Sequence, residues 1–393
     1  MKAIVLSGGG SKGSYQIGVW KALKKLHIKY DIVTGTSVGA LNGALMTQNT
    51  YLKAIKLWKN INLKTLFGED ATESENNIEV LKMYKDNFFE KGGMEVTELE
   101  NLIDKTLNKK RFYNSRINFG LVTFNIDELK PVKLEKEKIK EEELTDYLMA
   151  SASCYPAFKQ KEIKDKKFID GGFYDNLPIN LAIELGADEI IAVDLKAPGI
   201  KQIPKEKIHI TRISPNNKLT NFLNFYESGA KQNMIFGYND TMKVFEKYEG
   251  KKFTYKKNTI NKIINNYQPI WNFYISKIIT NKALTETIKK LLKISDNLTE
   301  KTINKLLLNT LEDLGEVYKL DETKIYTYRK FNRKLKKAFK KSKKSNTKST
   351  KEETIIELYS KFKSEKYSEL KKDIILYPSE FLKALYLYSI IEG

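Results

Sequence analysis

A single cysteine in 393 residues leaves no material for an internal disulfide framework. That scarcity suits a reducing compartment, and a cytoplasmic location is expected. Cys154 itself reads as a small buried residue. Apolar runs are short as well. None approaches the roughly eighteen residues of a membrane-spanning helix, so a soluble or peripheral protein is expected. The first apolar run starts at Ala3, and no secretory leader is expected ahead of it. Histidine is the third scarcity. His27 and His209 show no ligand spacing, and no calcium loop of the EF-hand type occurs, so neither metal nor other cofactor is expected.

Positive charge is abundant and unevenly placed. Residues 1–250 hold 37 Lys and Arg against 33 Asp and Glu, whereas residues 251–393 hold 32 against 16. The expected organisation follows that break: one domain over 1–250 and a basic, mainly helical accessory domain over 251–393. Leu and Ile recur at helical spacing from Ile288 to Leu314 and from Glu353 to Ile391. Between them, Tyr328 to Lys341 reads as a basic amphipathic helix. Tyr328, Phe331, Leu335, Ala338 and Phe339 fall on one stripe, and Lys330, Arg333, Lys334, Lys337 and Lys340 fill the other faces. Such a helix fits an anionic membrane surface, peripheral at the inner face of the membrane; a merely solvated charged helix and a nucleic-acid contact are the competing readings. No nucleic-acid reading module accompanies it. Ser342 to Thr350 is Ser/Thr/Lys-rich and reads as a flexible linker.

The chemistry concentrates near the start of the chain. Gly35-Thr36-Ser37-Val38-Gly39 lies between a strand-like run, Ile32 to Thr34, and a helix-like run, Val38 to Met46. A serine on such a turn is thrust out on a strained corner, with glycines where neighbouring segments pass too close for a side chain. The following helix aims its first N–H groups at the serine. Upstream, the apolar run Ala3 to Ser7 enters Gly8-Gly9-Gly10-Ser11-Lys12-Gly13, after which a helix runs from about Tyr15 to Lys25. Three functions compete for this loop. A nucleotide P-loop requires Ser or Thr after the lysine, where Gly13 stands. A dinucleotide turn fits Gly8, Gly10 and Gly13, but Asp31 begins the second strand where an acid should end it. An oxyanion hole serving Ser37 accounts for both glycine clusters with one site.

Downstream, Phe168-Ile169-Asp170-Gly171-Gly172 reads as a strand end, an acid and two glycines. Asp170 is either a turn former or, with Ser37 present, a general base. The histidines favour the second role. His27 sits near a helix end and His209 in a strand-like run, each a structural histidine more readily than a base. The pattern therefore favours a Ser-Asp dyad, with the carboxylate itself accepting the serine proton.

Together, Gly8–Gly13, Gly35–Gly39 and Asp170-Gly171-Gly172 resemble the patatin-like phospholipases. The resemblance spans roughly residues 1–250. It implies Ser37 as nucleophile, Asp170 as its partner and the Gly8–Gly13 loop as oxyanion hole. Gly92 to Thr97 and Ala150 to Phe158 match the family more loosely, and Lys12 stands where arginine is more usual. The implied activity is hydrolysis of fatty-acyl esters of phospholipids or lysophospholipids through an acyl-enzyme. A nonlipolytic carboxylesterase or thioesterase is the alternative, and a catalytically idle membrane- or nucleic-acid-binding protein a more distant one. Strands over 118–124, 131–134, 168–170, 189–194 and 209–213, with helices over 144–153 and 179–186, predict a three-layer α/β/α sheet. Leu66 to Gly93 is polar and poorly periodic and is expected to be a mobile cover or loop.

Overall fold

Short β-branched runs such as Ala3–Leu6, Ile32–Val33 and Ile190–Val193 are apolar at consecutive positions, as strands covered on both faces must be. In the computed structural model, which describes residues 1–68, 71, 74–278, 286, 290 and 300–392, they form the centre of an eight-stranded sheet. Its strands are β1 (Lys2–Leu6), β2 (Ile32–Thr36), β3 (Asn118–Asn125), β4 (Lys130–Glu135), β5 (Lys161–Ile163), β6 (Lys166–Asp170), β7 (Glu189–Val193) and β8 (His209–Ile213). The order β3-β2-β1-β7-β8 is parallel throughout. β4 and β6 pair antiparallel with β3, and β5 pairs antiparallel with β6.

Alternation along the strands distributes the layers. Ala3, Val5, Ile190 and Ala192 pack with Ile179 and Ala182 of the helix Ile179–Glu184 on one face. The intervening Ile4 and Ile191, equally buried, point to the other face. There lie the helices Ser14–Lys25 and Val38–Thr47, with Glu227–Val244 packed on the former. The chain thus has the α/β/α architecture that the strand and helix pattern predicts.

One detail of the sheet positions the site. β4 takes one edge of β3 along Gly120–Asn125. The opposite edge is shared by two strands. β2 pairs up to Thr36 opposite Val122, and β6, coming from the other direction, pairs with Asp170 opposite Thr123. The two strands therefore meet end to end on consecutive residues of β3.

The segment from Leu66 to Gly93 departs from its expectation as a loop. Among its described residues, a 15-residue helix spans Asn77–Lys91, capped by the Asn76 side chain and ended by Gly92 in the left-handed conformation. It is tied down by Val80, Met83 and Tyr84, all buried.

The described chain divides into two compact units, Met1–Val244 and Phe245–Gly393. The second is helical apart from three short strands, β9 (Tyr248–Glu249), β10 (Thr254–Lys256) and β11 (Ile325–Tyr326). Its helices span Thr259–Ile278, Glu300–Val317, Tyr328–Lys343, Thr350–Lys363, Tyr367–Leu376 and Pro378–Glu392. Of the helical spacing read from Ile288 to Leu314, the part over 300–314 is helix; 288, 289 and 291–299 lie outside the described residues. Of the stretch read as a flexible linker, Ser342 is a buried residue in the last turn of one helix, residues 344–349 connect that helix to the next, and Ser349 caps the latter through a capping box with Glu352.

The basic helix requires a correction. Its apolar stripe was expected to face a membrane. Phe331, Leu335 and Phe339 are 0%, 0% and 1% exposed and form part of the core of this unit, among Phe253, Tyr255, Tyr359 and Tyr386. They are not available to enter a bilayer. Lys330 is half-buried, with its ammonium over the Tyr326 ring, while Arg333, Lys334, Lys337 and Lys340 remain outward. What the helix offers to its surroundings is charge alone.

Candidate active site

Ser37 sits at the point where β2 stops and the helix Val38–Thr47 begins. Its backbone, at φ 57 and ψ −130, lies in the left-handed region that favours glycine. A non-glycine residue held there stores on the order of 1–3 kcal/mol and needs surrounding structure to enforce it. That enforcement is visible. The Ser37 N–H donates to Ser151 Oγ at 2.9 Å, and Ser151 Oγ donates to the Val122 carbonyl at 2.7 Å. Thr36 Oγ1 donates to the Asp175 carbonyl at 2.7 Å. Gly39 is required by a close approach: a Cβ there would lie 2.3 Å from the Leu6 carbonyl oxygen. The elbow is therefore pressed against the end of β1, from which the glycine loop departs.

That loop passes directly over the serine. A Cβ on Gly8 would lie 3.1 Å from Ser37 Cβ and 2.3 Å from Asn176 Oδ1. The loop's N–H groups are not equivalent. Gly8 donates to the Asn176 carbonyl, Ser11 to the Phe222 carbonyl and Lys12 to the Gly9 carbonyl. Among the described residues, no acceptor is recorded for the N–H groups of Gly9 and Gly10, and both residues line a cavity with Ser37. The six-residue loop thus narrows to two available donors. Ser11 is a strut, its hydroxyl bonded to the Asn221 carbonyl at 2.8 Å and paired with Thr220 Oγ1 at 2.9 Å. Gly13 precedes the helix Ser14–Lys25 and lies under Trp58. Lys12 is partly buried, which lowers its pKa.

Asp170 enters from the end of β6. Its side chain accepts the Gly172 N–H at 2.7 Å, which fixes the turn through Gly171 and Gly172. Ser37 lines the same cavity as this carboxylate. Burial pushes the Asp170 pKa up to about 6, against the opposing pull of the Gly172 N–H and the nearby Ser37 hydroxyl. An acid of that pKa is ionised at neutral pH yet basic enough to take a proton.

The cavity around these groups has a volume of about 410 Å³ and is walled by Cys154, Phe158, Phe173, Asn176, Ile200 and Leu223 among others. Neither His27 nor His209 lines it. A second, narrower cavity of about 50 Å³ begins at the same serine and runs between Val38, Leu41, Leu45, Trp58 and Phe158. Ser37, Gly10 and Phe158 belong to both. Burial and the neighbouring Asp170 raise the Cys154 thiol pKa to about 12. Ser151, Asn176 and the helix 77–91 escaped sequence reasoning. Tyr84 of that helix packs on Phe158 and donates to the Leu223 carbonyl at 2.9 Å, so the helix forms part of the cavity's support. Lone polar residues outside glycine motifs carry no local signal of such roles. Among the described residues, no cluster of His, Cys, Asp and Glu suited to hold a metal ion occurs, and no helix is long and apolar enough to cross a membrane.

The patatin-like phospholipase family model matches residues 4–183, from β1 to the helix after Asp170. Lysophospholipase nte1 of Aspergillus terreus is 29% identical over 197 residues, which is 49% of this chain and 12% of that protein. The human patatin-like phospholipase domain-containing protein 6 is 25% identical over 193 residues, 49% of this chain and 13% of its own. The chain thus matches only about an eighth of the length of these relatives. Among solved structures, VipD from Legionella pneumophila aligns over 99% of this chain and 91% of its own at 13% identity, with a TM-score of 0.39, an overlap too loose to carry an argument.

Proposed function

Because residues 4–183 match the patatin-like phospholipase family model, we propose that this protein is a serine acyl hydrolase of phospholipids or lysophospholipids. One observation carries the reading. A strained Ser37 and a buried Asp170 line one cavity that also presents the unpartnered N–H groups of Gly9 and Gly10.

Each group then has a task. Asp170 accepts the Ser37 proton as Oγ attacks the ester carbonyl. The Gly9 and Gly10 N–H groups, with the start of the helix Val38–Thr47, stabilise the oxyanion. Losing one such donor costs about 3 kcal/mol of transition-state stabilisation. The tetrahedral intermediate collapses, the alcohol leaves with a proton from Asp170, and Ser37 remains acylated. Water then attacks, giving its proton to Asp170, which returns it to Ser37 Oγ as the acyl–Oγ bond breaks and the fatty acid departs. The apolar walls suit an acyl chain. A nonlipolytic esterase would use the same groups but show no preference for long chains.

The test is fatty-acid release from vesicles of defined phospholipid by wild type, Ser37→Ala and Asp170→Asn, with and without chelator. Release lost in both variants and indifferent to chelator is expected. Release that survives in Ser37→Ala would overturn the assignment. Turnover of soluble short-chain esters alone would favour the esterase reading. Contact with anionic membranes through the helix 328–343 is retained as an electrostatic contact only, since its apolar stripe is part of a core.

A further inference from the structure

The narrow cavity beyond Ser37 does not end in bulk protein. Leu57, Ile61 and Leu102, which line it, also line a surface groove of about 290 Å³. The partition between cavity and groove is therefore a single layer of aliphatic side chains, and Leu57 and Leu102 in it are only half-buried. The groove is bordered by Lys53, Lys56 and Lys105. Lys53 and Lys56, three residues apart on the helix Tyr51–Lys59, share a face with Leu57. Lys105 comes from the facing end of the helix Thr97–Thr106, one turn beyond Leu102. Among the described residues, no acidic residue lines the groove; its other polar residues are Asn60, Thr65 and Thr106. Among the described residues, none of the three lysines takes part in an ion pair. The nearby Asp104 is engaged by Lys109 at 3.1 Å and Thr145 at 2.9 Å.

An apolar cavity that runs from a nucleophile to a thin aliphatic partition, with three ammonium groups beyond it that no described carboxylate pairs, is complementary to one kind of molecule. We propose that cavity and groove together form a binding site for a long alkyl chain ending in a carboxylate, with the carboxylate among Lys53, Lys56 and Lys105 and the chain directed through the Leu57–Leu102 partition towards Ser37. A methyl-ended chain gains nothing from the lysines, and a short anion gains nothing from the passage. Two sources supply this chemistry. One is a free fatty acid, the product of the reaction proposed above, entering from the groove with its tail towards the serine. The other is a substrate acyl chain that itself carries a terminal carboxylate. Occupancy by the first displaces the acyl chain of the next substrate, so the site makes the product an inhibitor. This inference rests on the acyl hydrolase reading for the identity of the ligand but not for its binding.

The test uses the full chain carrying Ser37→Ala, so that binding is measured without turnover. Trp58 lines the passage, its indole N–H bonded to Asn42 Oδ1 at 2.9 Å, and its fluorescence reports entry. Dodecanoate is expected to bind at least ten-fold more tightly than dodecanol. Adding K53Q, K56Q and K105Q, three exposed positions, should remove that preference while changing dodecanol binding less than two-fold. Leu102→Trp, which thickens the partition, should weaken dodecanoate binding on its own. Two arms in the Ser37-intact protein separate the sources: inhibition by added dodecanoate marks the free acid, and a higher kcat/KM for an ω-carboxyacyl ester than for its methyl-ended counterpart marks the substrate. Equal binding of dodecanoate and dodecanol, or a triple variant that still prefers the acid, would overturn the site. Dodecanoate binding in a protein whose serine turns over no ester would leave the site standing and overturn the hydrolase reading instead.

Discussion

The elbow at Ser37 and the helix at Tyr328–Lys343 are the two most conspicuous features of the sequence, and they differ in how much they determine. Around Ser37 the requirements are steric. Gly39 lies where only a hydrogen fits beside the Leu6 carbonyl, and Ser37 holds a φ of 57. Few arrangements other than a tight strand-to-helix turn make such demands. The basic helix carries a periodic pattern instead. An apolar stripe states that something will cover it, without stating what. Here the cover is the unit's own core, where Phe253, Tyr255 and Phe331 lie ring to ring. Local stereochemistry selects one structure; amphipathicity selects a class of them.

Mutation can sharpen that contrast. The largest effect is expected at the elbow: Ser37→Ala should lower kcat on a fatty-acyl ester by about 10⁴-fold or more with melting unchanged or raised, measured by product release and calorimetry. At the helix the order reverses. Phe331→Ala should cost about 3–5 kcal/mol of stability by denaturant titration, without the loss of chemistry seen at Ser37. Asp170→Asn should combine both behaviours. Burial raises this acid from 3.8 to about 6, so the native protein holds the proton more tightly than the unfolded chain does. The associated stability is complete below about pH 4 and is lost as pH rises through 6. At pH 8 the variant should therefore be inactive yet more stable, by on the order of 2 kcal/mol. In the wild type, activity should fall about ten-fold per pH unit below about pH 6, as the base takes up its proton. The smallest effect belongs to the outward face. Replacing Arg333, Lys334, Lys337 and Lys340 by Gln should weaken binding to anionic vesicles by up to about 1 kcal/mol each, less so at high salt, in a sedimentation assay.

The same contrast explains what was legible. The α/β alternation could be read because buried parallel strands are continuous apolar runs, as in Ile190–Val193. β5 could not, because Lys161-Glu162-Ile163 is three residues of mostly polar sequence. The helix Asn77–Lys91 was obscured by its own composition. It buries Val80, Met83 and Tyr84 but leaves Ile78 and Phe89 77% and 73% exposed, which blurs its period. At the site, the residues in glycine motifs announced themselves. Ser151 and Asn176 did not, since a hydroxyl or amide that orients a neighbour is chosen by tertiary position alone. Ser151→Ala would test that role: loss of its bond to the Ser37 N–H should lower kcat about ten-fold and leave KM unchanged.

The meeting of β2 and β6 on one edge of β3 has a consequence for how this protein can change. Residues 37 and 170 are far apart along the chain, yet each is anchored opposite, or next to a residue anchored opposite, one of two successive positions, Val122 and Thr123. Their spacing is set by a single peptide unit of β3 rather than by the length of chain between them. The connections on either side of β3 can accept insertions or exchanges, and with them a different pocket wall or a new surface, while the pair stays in gauge. A change inside β3 has no such freedom, because one residue gained or lost there would shift the ruler against which both strands are measured.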